Sequence, residues 1–302
     1  MENNKSFLWP EGILIALLAL GGVFSLAFMM LLRPNVSEAQ SRQSINVKDA
    51  AANVGTQERI EKLKATMLTS WQQEAQTKGL SYAIPSRFQG AIVKAAKFTK
   101  EEKVIALTFD DGPWPQTTGQ VLDILKSNNI KGTFFVVGQN LKNYPELGKQ
   151  IVSQGHVIAN HTWHHWYHFF NQQAAAFEIE RTTDLIYEIT GAKTNLFRPP
   201  GGIMHNGLTA YAKVQKYTVV MWSADSRDYK LPTVSKLIDN VIKDSKPGGI
   251  VLMHDGGGNR SRTVQALPEI ISNFRKQGYR FVTIPELLQM EDAEQKLLAH
   301  KK

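Results

Sequence analysis

The chain has 302 residues, 42% of them hydrophobic, enough to bury the core of one large domain with appendages to spare. It contains no cysteine, which excludes disulfides and thiolate metal sites and leaves His, Asp and Glu to bind any metal. The net charge of +8 reads first as a solvated basic surface and second as attraction to an acidic polymer; without a dense Lys/Arg stripe or a recognised motif, no nucleic-acid partner is expected.

Residues 12–32 (GILIALLALGGVFSLAFMMLL) carry no charge and are bracketed by Glu11 and Arg33, with Trp9 near one end. A helix of this length crosses a bilayer core of ~30 Å. A cleaved signal peptide is the alternative, with Ser37 and Ala39 as small residues at a cleavage site. Signal-peptide apolar regions run only ~7–15 residues, so the expectation is a single-pass, uncleaved anchor, with a secreted form if cleavage occurs. Lys5 precedes the span while Arg33, Arg42 and Lys48 follow it, which points the C-terminal side to the cytoplasm. The chemistry below points the other way, and the expected location of the catalytic domain is extracytoplasmic.

Residues 35–55 are polar and read as a linker. Residues 56–77 read as a helix with Ile60, Leu63, Met67 and Trp71 on one face; packing on the main domain is preferred to a stalk or a self-association helix. From about residue 98 the pattern becomes α/β. Seven apolar runs predict strands at 104–109, 133–137, 157–159, 196–198, 218–222, 249–253 and 280–283. Helical stretches at 116–127, 174–189, 233–243 and 263–277 lie between several of them. This alternation predicts a mostly parallel sheet covered by helices, either an open doubly wound sheet or a closed or distorted barrel. The barrel is preferred, because residues from five strand ends must converge on one site. The expected divisions are an anchor at 1–33, a linker with an amphipathic helix at 34–99, a catalytic domain at 100–290 and a polar tail at 291–302.

Polar residues recur at the ends of these strands. Asp110 and Asp111 end the first and precede Gly112-Pro113. Neighbouring strand side chains point to opposite faces, but the Gly-Pro turn breaks the strand, so both carboxylates can reach one pocket, one for a metal and one for a proton. An Asx turn or a helix cap is the structural alternative. His161 and His165 are four apart, a spacing that on a helical turn brings both imidazoles to one ion, although His164 and His168 leave the register ambiguous. The aromatic stretch Trp163, Trp166, Tyr167, Phe169 and Phe170 reads mainly as packing, with Trp166 or Tyr167 able to stack on a sugar ring.

The segments TFDDGP, HTWHH, RPPGG, WSADSRDY and IVLMHD, in that order, resemble the five motifs of the polysaccharide deacetylases, the NodB-homology enzymes of carbohydrate esterase family four. The resemblance runs from about residue 103 to 288. It implies a distorted (β/α) barrel of about seven parallel strands, preceded here by the transmembrane helix and helical linker. It implies that Asp110 is the catalytic base, that Arg198 holds it, and that Asp111, His161 and His165 bind one divalent metal. It also implies that His254 is the general acid with Asp225 orienting it, that the Gly201 N–H binds the oxyanion, and that Leu252 lines the acetyl pocket. Two departures stand out: Gly201 replaces the usual aromatic of the third motif, and Tyr229 replaces the usual Trp of the fourth, keeping a smaller aromatic wall. His164 stands where Ser is common and receives no role.

An acetamide is a poor electrophile and its amine leaves only when protonated, so a base, a Lewis acid, an oxyanion donor and an acid are all required. Zinc is the default for a His/His/Asp set, with cobalt, nickel and manganese admissible. The expected activity is removal of N-acetyl groups from N-acetylglucosamine-type residues of a cell-surface polysaccharide: peptidoglycan, an exopolysaccharide or a chitin-like chain. O-acetyl esterase action on a polymer such as xylan, and an inactive glycan-binding protein, are the alternatives. The expected partners are the acetylated polysaccharide and, through the N-terminal helix, the membrane.

Overall fold

The computed structural model describes residues 47–100 and 102–300. The expected membrane anchor at 12–32 lies outside these residues; among the described residues no helix is long and apolar enough to cross a membrane. The chain divides into two units, Met1–Ile60 and Glu61–Lys302. Helix α1, Val47–Thr77, starts in the first and runs into the second.

Within the second unit the sheet begins earlier than expected, at β1 (Ile92–Val93). It continues through β2 (Val104–Asp110), β3 (Thr133–Val136), β4 (Val157–Asn160), β5 (Leu196–Phe197), β6 (Thr218–Val220), β7 (Ala224–Asp225), β8 (Gly249–His254) and β9 (Arg280–Phe281). All seven anticipated strands are present. Two further strands, β1 and β7, each two residues long, were not anticipated.

Every ladder is parallel, and the strand order is β1-β6-β5-β4-β3-β2-β8-β7, with β9 pairing the start of β2. Among the described residues no ladder joins β7 to β1, so the sheet is a half-barrel rather than a closed ring. All seven residues of β2 are buried, as expected of a parallel strand covered on both faces. Its alternation sorts them. Ile105, Leu107 and Phe109 pack under α2 (Thr118–Ser127), α4 (Pro145–Ser153), α7 (Val234–Asp244) and α8 (Ser261–Lys276). Short α3 (Gly138–Asn143) precedes α4, while α5 (Gln172–Thr190) and α6 (Leu208–Val214) follow β4 and β5. Val104 and Ala106 face the inner cluster with Phe135, Val220 and Ile250, leaving Thr108 and Asp110 next on that same inner face. Residues on the β2–β8 ladder stand in register, so Asp110 sits directly beside His254.

Helix α9, Ile284–Ala299, runs across the expected boundary between residues 290 and 291. Residues 291–299 of the expected polar tail are therefore helical. A capping box starts it: Thr283 donates to Glu286 Oε2 from both its N–H (2.7 Å) and its hydroxyl (2.8 Å). Ile284, Leu287 and Leu288 join the inner cluster, and Arg87 pairs with the buried Glu291. The amphipathic helix also differs in detail. Trp71 stacks on Tyr187 (4.5 Å, 21°), whose hydroxyl donates to Glu74, while Leu63 and Met67 remain exposed.

Phe134 on β3 is fully buried, stacked on Phe109 (5.0 Å) and edge-on to His156 (5.4 Å). Phe134→Ala is expected to lower unfolding free energy by about 3–5 kcal/mol in denaturant titration. A loss below about 1 kcal/mol would show that this layer collapses around the cavity and does not fix the strand ends.

Candidate active site

The inner face of β2 delivers Asp110 to the guanidinium of Arg198, which follows β5 and is fully buried. Arg198 Nη1 donates to Asp110 Oδ1 (2.7 Å) and Thr108 Oγ1 (2.9 Å), Nε to the Val220 carbonyl (2.9 Å) and Nη2 to the Met221 carbonyl (3.2 Å). Its plane lies over the Phe135 ring at 4.1 Å. Burial pulls the guanidinium below its usual range and Asp110 opposes that fall; an arginine remains charged regardless. Asp110 is thereby fixed in one orientation, with Oδ2 3.7 Å from His161 Nε2.

Asp111 is the first residue past β2 and adopts φ +72°, which reverses the alternation and turns its carboxylate into the same pocket. Its Oδ1 lies 3.1 Å from His165 Nε2 and 3.5 Å from His161 Nε2. Burial pushes this carboxyl up, but the two imidazoles facing it prevail and hold it well below the usual carboxylate range. The two histidines do not sit on a helical turn. They flank a loop in which Thr162 (φ +68°) and His165 (φ +61°) are left-handed, and these turns make the imidazoles converge. Buried Asn160 holds the loop by accepting from the Thr162 N–H (2.8 Å), and buried Glu178 by accepting from the N–H groups of Trp163 (3.0 Å) and His164 (2.9 Å). The His164 ring is taken by Glu178 (2.5 Å) and His168 contacts the Phe169 carbonyl (2.8 Å), which resolves the register in favour of His161 and His165.

These three residues fit a metal. Their ligand atoms all lie within 4.8 Å of one another. Asp111 Oδ1 is buried and makes no hydrogen bond. His161 uses Nδ1 to reach the Arg198 carbonyl (2.7 Å), which fixes the proton there and leaves the Nε2 lone pair directed into the cluster.

His254 ends β8, and its partner is Asp228 rather than the expected Asp225. His254 Nδ1 contacts Asp228 Oδ1 at 2.6 Å, and its backbone N–H donates to Asp228 Oδ2 at 2.8 Å. Asp225 instead accepts from the Arg227 N–H (2.8 Å) and the Tyr229 hydroxyl (3.1 Å). The cause is the turn after β7: Arg227 at φ +55° leads into a 3-10 turn, Asp228–Lys230, which carries Asp228 back against β8. Sequence spacing alone does not choose between two aspartates three apart. Burial opposes the His254 charge, but the bond and charge of Asp228, aided by Asp111 and Asp110, outweigh it and raise the imidazole to about 9.

The remaining walls form a pocket of about 720 Å³ that includes Gly201, Leu252, Tyr229, Trp222 and Tyr167. Leu252 is almost fully buried, and Gly201 sits at φ +60° with an exposed backbone. Asp255 lies beneath, a residue that sequence reasoning passed over although it ends the fifth motif. Its N–H donates to the Asp110 carbonyl (3.0 Å) and its Oδ2 accepts from Thr118 (2.5 Å). Burial raises its carboxyl to about 7. A β-carbon on Gly112 would collide with this carboxylate, so only glycine lets the two strand ends approach.

The Asp228 pairing has a measurable consequence. Removing its charge in Asp228→Asn takes away the support that keeps His254 protonated, so the His254 pKa falls. The alkaline limb of the pH–kcat/KM profile is expected to move to lower pH in Asp228→Asn and to stay in place in Asp225→Asn. A shift in Asp225→Asn alone would return the orienting role to Asp225.

The model of the polysaccharide deacetylase family matches residues 97–220. A peptidoglycan-N-acetylglucosamine deacetylase of Bacillus cereus is 43% identical over 189 residues, spanning 62% of this chain and 89% of that protein. The peptidoglycan-N-acetylmuramic acid deacetylase PdaA of Bacillus subtilis is 35% identical over 194 residues, 62% of this chain and 72% of that protein. The crystal structure of the Bc1960 peptidoglycan N-acetylglucosamine deacetylase aligns with a TM-score of 0.62 at 35% identity, covering 66% of this chain and 92% of that one. The half-barrel with its Asp110–Arg198 pair and three-ligand cluster belongs to the polysaccharide deacetylases, hydrolases of non-peptide amide bonds.

Proposed function

We propose that the chain removes acetyl groups from N-acetylglucosamine residues of peptidoglycan, as a zinc-dependent enzyme tethered to the outer face of a membrane. The observation that carries this reading is one pocket holding a buried, arginine-fixed carboxylate, a His/His/Asp cluster and an aspartate-bound histidine at strand ends.

Asp111, His161 and His165 would hold the metal, which when bound supplies Lewis-acid polarisation of the acetamide carbonyl and of the attacking water. Asp110 accepts the proton of that water. Arg198 keeps it from rotating away. The Gly201 N–H meets the oxyanion, and Leu252 receives the acetyl methyl. His254, charged through Asp228, donates its proton to the departing amine, which is too basic to leave otherwise. The tether rests on the apolar segment at 12–32, and the net charge of +8 suits an anionic cell-wall polymer. The N-acetylglucosamine reading draws on the names of the Bacillus cereus protein and of Bc1960.

The test is acetate release by the full-length chain from peptidoglycan, chitin oligomers and acetylated xylan, after chelation and with zinc restored. Expected are zinc-restored release from peptidoglycan with free amines on glucosamine, and a fall in kcat of about 100–10,000-fold in His254→Ala. Amines on muramic acid would replace the substrate. Release from xylan alone would make the chain an ester hydrolase.

A further inference from the structure

Gly201 and Tyr167 are fitted to one another. A β-carbon on Gly201 would lie 2.9 Å from Tyr167 Cε1 and 3.4 Å from Cδ1, so the Tyr167 ring rests on bare backbone at the place where the third motif lacks its aromatic. On another side the ring stands edge-on to His165, centroids 5.2 Å apart at 81°. Pinned on two sides, Tyr167 still keeps 56% of its surface exposed and lines the pocket with Asp110, His161 and His254. Its neighbour Trp166 is committed elsewhere, stacked on the His164 ring at 3.9 Å and 5°, and does not line the pocket.

A second tyrosine has the matching position at the general acid. Tyr229 stands edge-on to His254 at 5.7 Å and 76°, and its hydroxyl is occupied by Asp225. The Tyr167 hydroxyl makes no hydrogen bond among the described residues. The pocket thus offers one tyrosine whose phenol is satisfied within the protein and one whose phenol is free for a ligand. A pyranose presents an apolar C–H face beside hydroxyl groups, which matches an exposed ring carrying a free hydroxyl.

We propose that Tyr167 is the sugar-binding tyrosine of this site: its ring packs on the C–H face of an N-acetylated pyranose and its phenol hydrogen-bonds a ring hydroxyl. This rests on the reading of the pocket as an N-acetylhexosamine site. Gly201 is then glycine because the aromatic wall comes from the His161–His165 loop instead of from position 201. Such a contact holds ground state and transition state alike, so its removal raises KM with little change in kcat.

The test uses the full-length chain with zinc, and Tyr167→Ala, Tyr167→Phe and Phe169→Ala variants. Phe169 is exposed on the same loop and does not line the pocket. Affinity for the N-acetylglucosamine tetramer is measured by calorimetry in the Asp110→Asn background, where the ligand persists, and KM and kcat by acetate release in the parent. Tyr167→Ala is expected to weaken binding and raise KM about tenfold, Tyr167→Phe about threefold, with zinc content and melting temperature unchanged, and Phe169→Ala to match the parent. Affinity within twofold of the parent in Tyr167→Ala overturns the proposal. So does weakened binding accompanied by lost zinc, which would make Tyr167 a support for His165. Tetramer binding without acetate release refutes the deacetylase reading while the Tyr167 comparison stands; no binding by the parent refutes both.

Discussion

A charged guanidinium with no access to water is the constraint around which this site is arranged. Arg198 is fully buried, and an unpaired buried charge costs several kcal/mol, so every donor it carries must find an acceptor. It finds them on two strands and the residue after the second: Thr108 and Asp110 of β2, Val220 at the end of β6, and the Met221 carbonyl just beyond. Its own carbonyl receives His161 Nδ1. One residue therefore locks a carboxylate, selects a histidine tautomer and ties together strands that a half-barrel leaves without ring closure. Breaking such a pair typically costs about 3–5 kcal/mol, because the surviving partner is left buried and charged.

From that lock follows the division of labour between two adjacent aspartates. Asp110, the last residue of β2, points to the inner face and is claimed by Arg198. Asp111, one residue on, would point to the outer face if the strand continued. Its left-handed backbone returns it to the pocket beside His161 and His165. Two chemically identical side chains thus acquire different partners, one a cation within the protein and the other an imidazole pair with an unsatisfied oxygen between them. The same logic operates at the proposed acid: Asp225 and Asp228 leave one short strand, and a left-handed Arg227 decides which of them meets His254.

Seven of the strands, and the helices at 118–127, 172–190, 234–244 and 261–276, were legible in the sequence, as were the strand-end positions of Asp110, His161, Arg198 and His254; the short helices at 138–143, 145–153 and 208–214 were not. What was not legible depends on backbone turns that leave no periodic trace. The His161–His165 spacing suggests a helical face, yet the geometry comes from two left-handed residues in a loop. The resemblance implies Asp225 beside His254, and the left-handed turn that brings Asp228 there instead leaves no periodic trace either. Asp255 reads as a loop residue until Gly112 brings the end of β2 onto it. The helix from Ile284 did carry a local signature, Thr283 followed by Pro285 and Glu286, which the polar character of 291–302 obscured. That the expected distorted barrel is a half-barrel rests on the edges of β1 and β7, which no ladder joins among the described residues, and strands of two residues do not disclose their pairing.

The central claim is that Arg198 reserves Asp110 for proton transfer and leaves Asp111 to bind metal. The most direct measurement is zinc affinity by calorimetry for Asp110→Asn and Asp111→Asn, with acetate release followed in parallel. The account predicts that Asp110→Asn binds zinc nearly as tightly as the parent but turns over no substrate, and that Asp111→Asn loses zinc affinity by at least about tenfold. Retained zinc in Asp111→Asn with lost zinc in Asp110→Asn would contradict it, and would mean that the arginine-bound carboxylate is the ligand.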